Sequence, residues 1–98
     1  MILVRDVFQI DPEQMKTAKE EMKEHREIAK RLGYQIGRVL TDLTGEYYTL
    51  VLESQYKNLA EYEAALKKIF ADAGWQKSYA KFRKMIRGGR REMYTVVD

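Results

Sequence analysis

Residues Tyr34–Tyr56 read YQIGRVLTDLTGEYYTLVLESQY. Two runs rich in β-branched and aromatic side chains, 34–43 and 47–56, flank Thr44-Gly45-Glu46, which is turn chemistry. So short a turn joins antiparallel strands, and the stretch predicts a hairpin. Gly37, inside the first run, predicts a bulge or a close backbone approach. A hairpin in the middle of a chain leaves the architecture to what flanks it.

On the N-terminal side, Ile2–Ile10 reads as a strand. Asp11-Pro12-Glu13-Gln14 then opens a helix: aspartate suits the N-cap, proline N1, and Gln14 at N3 closes a capping box. The helix is expected to run to about Leu32 and stop at Gly33, with Lys30 and Arg31 favourable in its last turn. On the C-terminal side, Asn58-Leu59-Ala60-Glu61 is a second capping box. It starts a helix with Tyr62, Leu66, Ile69 and Ala73 on one face. Gly74 is expected to interrupt this helix, which resumes through Trp75, Tyr79, Phe82 and Ile86 and ends at Gly88-Gly89. Residues 90–97 form the last strand.

The order is strand, helix, strand, strand, helix, strand, and the halves 1–43 and 46–98 repeat one β-α-β plan. Right-handed crossovers place the first and third strands centrally, the second at an edge, and both helices on one face. The expected fold is α+β, a ferredoxin-like βαββαβ sandwich in a single domain over residues 1–98.

Composition agrees with one small globular domain: 98 residues, 45% hydrophobic and 34% charged. A chain this short has a thin core, and a second copy would add core most cheaply in sequence. The absence of cysteine excludes disulfides and thiolate metal sites and fits a reducing cytoplasm, the expected location. No signal peptide or membrane span is expected: the apolar run 1–4 is too short and charges follow at Arg5 and Asp6. The net charge of +3 is mild.

With both helices on one face, the other face of a self-sufficient monomer should be polar. In the third strand one set is Tyr47, Thr49, Val51 and Glu53, the other Tyr48, Leu50, Leu52 and Ser54. In the last strand the sets are Met93, Thr95, Val97 and Glu92, Tyr94, Val96. Apolar groups occupy both faces, which predicts a partner; homodimerisation through the open sheet face is the simplest solution.

On this plan the chain resembles the dimeric α+β barrel superfamily, in which two ferredoxin-like sheets pack face to face. The resemblance covers the whole chain and is sharpest from Trp75-Gln76-Lys77-Ser78-Tyr79 through Gly88-Gly89-Arg90-Arg91 to Val96-Val97. That pattern is similar to NIPSNAP-type members and to antibiotic biosynthesis monooxygenase-like ones. The resemblance implies a pocket for a small hydrophobic molecule between helices and sheet, and activities such as cofactor-independent monooxygenase, isomerase or cyclase. The haem-degrading branch takes an axial histidine from the second helix, where this chain has none. In a barrel, some of Arg5, Arg38 and Glu53 would face the dimer interior as an ionic set; otherwise they are solvated at an edge, Arg38 above all.

The best chemical lead is His25, the single histidine. Met15, Ala18, Met22, His25, Ala29 and Leu32 share one helical face. His25 is a candidate general acid or base, and Asp6, between Val4 and Phe8, a candidate orienting carboxylate. The competing reading is a core or cavity-edge histidine satisfied by a hydrogen bond, or a partly exposed one at the rim. Trp75 and Tyr79, one turn apart, are candidate pocket walls or core anchors. Met22 and Tyr62 are candidate ligand contacts, although most of the tyrosines would serve as interface packing. One histidine without a carboxylate cluster at ligand spacing makes no metal set, and no cofactor is expected.

The seven basic residues Lys77, Lys81, Arg83, Lys84, Arg87, Arg90 and Arg91 raise a nucleic-acid reading, since the RRM shares the βαββαβ plan. An RRM needs Lys/Arg-Gly-aromatic chemistry in its third strand and a stacking aromatic in its first. Here Glu46 follows Gly45 and the centre of Ile2–Val7 has no aromatic. Nucleic acid is therefore not expected, and the basic residues read as a solvated helix face. The sequence leaves two functions: a cofactor-independent enzyme for a hydrophobic or aromatic substrate, or a non-catalytic ligand-binding or structural homodimer.

Overall fold

The computed structural model describes residues 1–34 and 36–98. Strand β1 (Ile2–Ile10) leads through a 3-10 turn (Pro12–Gln14) into helix α1 (Met15–Arg31). Strands β2 (Val39–Thr41) and β3 (Thr49–Tyr56) follow, then helices α2 (Leu59–Phe70) and α3 (Ala73–Arg83), and strand β4 (Ile86–Thr95). The sheet order is β2-β3-β1-β4, and every neighbouring pair is antiparallel. The central strands are thus the first and third, and the ferredoxin-like plan holds.

The sequence signals act locally as capping chemistry requires, with instructive departures. The Asp11 carboxylate accepts from the Glu13 N–H at 3.0 Å. Gln14 makes no reciprocal side-chain bond, because the Asp11 N–H it would reach already donates to the Met85 carbonyl at 2.9 Å. At the far end, Gly33 adopts φ +89° and donates to the Lys30 carbonyl, while Tyr34 donates to that of Ala29. This is a Schellman stop, and the left-handed φ is why glycine stands there. In the second box Asn58 accepts from the Glu61 N–H, and Glu61 accepts from Lys57 rather than Asn58.

Helix α2 breaks at Ala71–Asp72, not at Gly74. Asp72 caps α3 by accepting from the Trp75 N–H at 2.9 Å, so Gly74 lies in the first turn of the new helix. The last strand begins at Ile86, four residues before its expected start, and Gly88-Gly89 lie inside it rather than ending a helix. The register with β1 explains this: Gly89 opposes Phe8, and a Cβ at Gly89 would stand 2.5 Å from the Val7 carbonyl oxygen. The register slips between Gln9 and Ile10, leaving Arg87 as the extra residue of a bulge. Strand β2 is shorter than expected, and part of its expected span, Gln35, lies outside the described residues. Gly37 makes the anticipated close approach. Its N–H donates to the Glu53 carbonyl at 2.7 Å while the Glu53 N–H donates to Arg38, and a Cβ would come within 2.8 Å of that carbonyl.

Alternation along β1 sends Val4, Asp6, Phe8 and Ile10 toward the helices. Ile10, Ala18, Met22, Leu50, Phe82 and Met85 form the packed centre between the layers. Burying a side chain such as Met22 or Leu50 stabilises the fold by about 1.5–3 kcal/mol. The opposite face carries a row of charges in register: Arg5 opposes Glu53 on β3 and Glu92 on β4. Glu53, buried at 7% exposure, accepts from Arg38 at 2.7 Å and pairs with Arg5 at 3.3 Å. Arg5 reaches Glu92 at 3.4 Å, which also holds Arg90 at 2.7 Å. Arg38 pairs with Glu53 while its side chain stays 73% exposed at the sheet edge, as expected for a solvated edge residue.

Candidate functional site

The three helices and the sheet enclose an apolar cavity of about 180 Å³. That is near the size of the engineered ~150 Å³ hole that accepts benzene. Helix α1 supplies Met22 and His25, α2 supplies Tyr62, and α3 supplies Trp75 and Tyr79; β1 contributes Asp6 and Phe8. All six residues singled out from the sequence (Asp6, Met22, His25, Tyr62, Trp75 and Tyr79) therefore line one space.

His25 reaches the cavity because its stripe buries Ala18, Met22 and Ala29 beside it. The residue is only 2% exposed. Its ring centre lies 4.6 Å from that of Trp75 and 5.5 Å from that of Phe82, edge to face. Burial lowers its pKa below the ordinary 6.5, and a hydrogen bond with the Ser78 backbone and the charge of Glu24 oppose that shift in part. The imidazole is thus neutral near pH 7. Its Nε2 is buried and has no hydrogen-bond partner.

Trp75 and Tyr79 stack nearly parallel, 6.3 Å apart and 6° from coplanar. Tyr79 is 39% exposed, so the pair runs from the interior to the rim. The Trp75 Nε1 and the Tyr62 hydroxyl are also buried without partners.

No hydrogen bond joins Asp6 to His25 among the described residues. The Asp6 carboxylate accepts from Arg91 Nε, the residue opposite it on β4. The Arg91 guanidinium also lies 5.9 Å from the centre of the Tyr62 ring. It stands near enough to favour the ionised phenol, but burial dominates and raises the Tyr62 pKa. Tyr56 shifts upward for the same first reason. Arg91, Tyr56 and Ser54 also line the cavity and went unrecognised from sequence. Their signal was strand parity: Arg91 shares a face with Met93 and Thr95, and Tyr56 with Leu52 and Ser54. Of the basic residues expected on a solvated helix face, Arg87, Arg90 and Arg91 lie on β4 instead.

Among the described residues no group of three or more His, Cys, Asp or Glu side chains is placed to hold a metal ion. No helix is long and apolar enough to cross a membrane.

A four-stranded antiparallel sheet with its helices on one face and a cavity between the layers defines a ferredoxin-like α+β domain. Within that class the chain belongs to the NIPSNAP family, whose model matches residues 5–98. Among solved structures, a NIPSNAP family protein from Agrobacterium tumefaciens superposes with a TM-score of 0.90 at 16% identity, covering 99% of this chain and 86% of its own. An uncharacterised NIPSNAP domain protein from Burkholderia xenovorans gives 0.90 at 13% identity, covering 99% and 95%. A proposed antibiotic biosynthesis monooxygenase from Nitrosomonas europaea gives 0.78 at 13% identity over 100% of both chains. At these identities the likeness is one of fold. No curated protein matches the chain.

Proposed function

We propose that the protein is a cytoplasmic homodimer that binds a small hydrophobic or aromatic molecule in the cavity, and that His25 acts there as a proton acceptor in cofactor-independent chemistry of the monooxygenase, isomerase or cyclase kind. One observation carries this reading: the chain's single histidine is among the residues that line the apolar cavity, its ring centre 4.6 Å from that of Trp75. Burial favours its uncharged form, the form a general base needs. Asp6 contributes by holding Arg91 at the sheet wall, not by touching the imidazole. Met22, Tyr62, Trp75 and Tyr79 shape the space. The charge row Arg38–Glu53–Arg5–Glu92–Arg90 on the open sheet face supports pairing with a second copy, whose sheet would cover it.

Trp75 is the only tryptophan and sits in the cavity wall, so its emission reports occupancy. Titration with toluene and with phenol is expected to change that emission saturably, and sedimentation is expected to show a dimer. No response to either compound would remove the ligand reading. If binding survives His25→Phe and no wild-type turnover of any bound compound is found, the second function, a non-catalytic ligand-binding dimer, stands instead.

A further inference from the structure

The cavity does not end at the rim. Asp6, Phe8, Tyr79 and Arg91 line both it and an adjoining open groove. The groove's other walls are Arg83 from α3 and Ile86–Arg90 of β4. A mainly apolar interior thus opens directly onto a surface with four arginines and one acid, and that acid, Asp6, is already engaged by Arg91. Arg87 is held by Asp11 at 3.3 Å and Arg90 by Glu92 at 2.7 Å. Arg83 has neither an ion-pair nor a hydrogen-bond partner among the described residues.

We propose that the ligand is a small aromatic or aliphatic carboxylic acid whose hydrocarbon part fills the cavity and whose carboxylate lies in the groove against Arg83. The inference rests on the ligand-binding reading of the cavity and names the class of ligand. The guanidinium is a planar fork matched to a carboxylate, and a charge-assisted bond to it is stronger than a neutral one. A single uncommitted arginine suits one negative charge rather than a phosphate dianion. The groove's positive excess also disfavours amines, so the site selects by charge as well as by size.

The test compares phenylacetate with its neutral near-isostere 2-phenylethanol at neutral pH and fixed ionic strength, read through Trp75 emission. The acid is expected to bind roughly tenfold more tightly, the scale of one charge-assisted contact. Added salt should erode that advantage, and Arg83→Gln should abolish most of it by weakening the acid far more than the alcohol. Equal affinity for the two compounds, or an acid preference that survives Arg83→Gln, overturns the proposal while the cavity reading stands. If neither compound binds, this proposal falls, and the toluene and phenol titrations decide the cavity reading separately.

Discussion

The imidazole of His25 and the indole of Trp75 lie against each other, ring centres 4.6 Å apart and tilted by 38°. They come from helices far apart in sequence, and α3 brings them together by packing on α1. Because burial lowers the histidine's pKa, the pair has a consequence for pH dependence. The unfolded chain takes up this proton at about pH 6.5 and the native state only at lower pH. Stability from this group is therefore complete above about pH 6.5 and is lost as pH falls through the window down to the native pKa. The slope there is at most about 1.4 kcal/mol per pH unit. Melting temperature is expected to drop between about pH 7 and pH 5.5 in the wild type and to stay flatter in His25→Phe. Parallel profiles for the two proteins would contradict the assignment.

Asp72 holds Trp75 through the cap of α3. Its carboxylate accepts from the Trp75 N–H and pairs with Arg31 at 2.8 Å. Those two contacts, the backbone one first, lower its pKa. Asp72→Ala is expected to fray the first turn of α3, shift Trp75 emission to the red and lower the melting temperature. An unchanged emission maximum would show that Trp75 is positioned by packing alone.

Gly88 and Gly89 are neighbours with opposite expectations. A methyl group at Gly89 would meet the Val7 carbonyl at 2.5 Å, whereas one at Gly88 meets nothing within 4 Å. Gly89→Ala is expected to cost about 1–3 kcal/mol by forcing β1 and β4 apart, and Gly88→Ala to be near neutral. Urea denaturation of both variants measures the difference; equal stabilities would contradict the close approach.

Glu53 anchors the charge row of the open face. Glu53→Gln weakens the ion pairs with Arg5 and Arg38 and leaves a partly buried Arg5 guanidinium. A loss on the order of 1–3 kcal/mol is expected, with weaker self-association if the face is covered by a second copy. Sedimentation equilibrium reads the second effect separately from unfolding. Unchanged stability and association together would show that the row is only solvated surface.

Phe82 contacts both the core and the site, edge-on to Phe8 at 5.1 Å and 1% exposed. Phe82→Ala is expected to destabilise by about 3–5 kcal/mol and to enlarge the cavity. A variant folded with native stability would mean that neighbouring side chains collapse into the space.

Local chemistry made most of the scaffold legible in sequence. The hairpin signal around Thr44–Glu46, the glycine stop at Gly33 and the stripe that carries His25 each depend on nearby residues, so their spacing alone determines element, face and order. The boundaries that shifted were set by distant partners. Met85 takes the Asp11 N–H and so keeps Gln14 from closing its box, and pairing with Ile10, Gln9 and Phe8 draws residues 86–89 out of the expected helix into β4. The site divides in the same way. The six sequence-chosen residues were recognisable by type and periodicity. Only the tertiary structure decided that Asp6 bonds to Arg91, that three helices bring His25, Tyr62 and Trp75 to one cavity, and that a groove containing Arg83 adjoins it. Those relations join residues as far as 85 positions apart, and no local pattern encodes which of several possible partners a side chain meets once the layers pack.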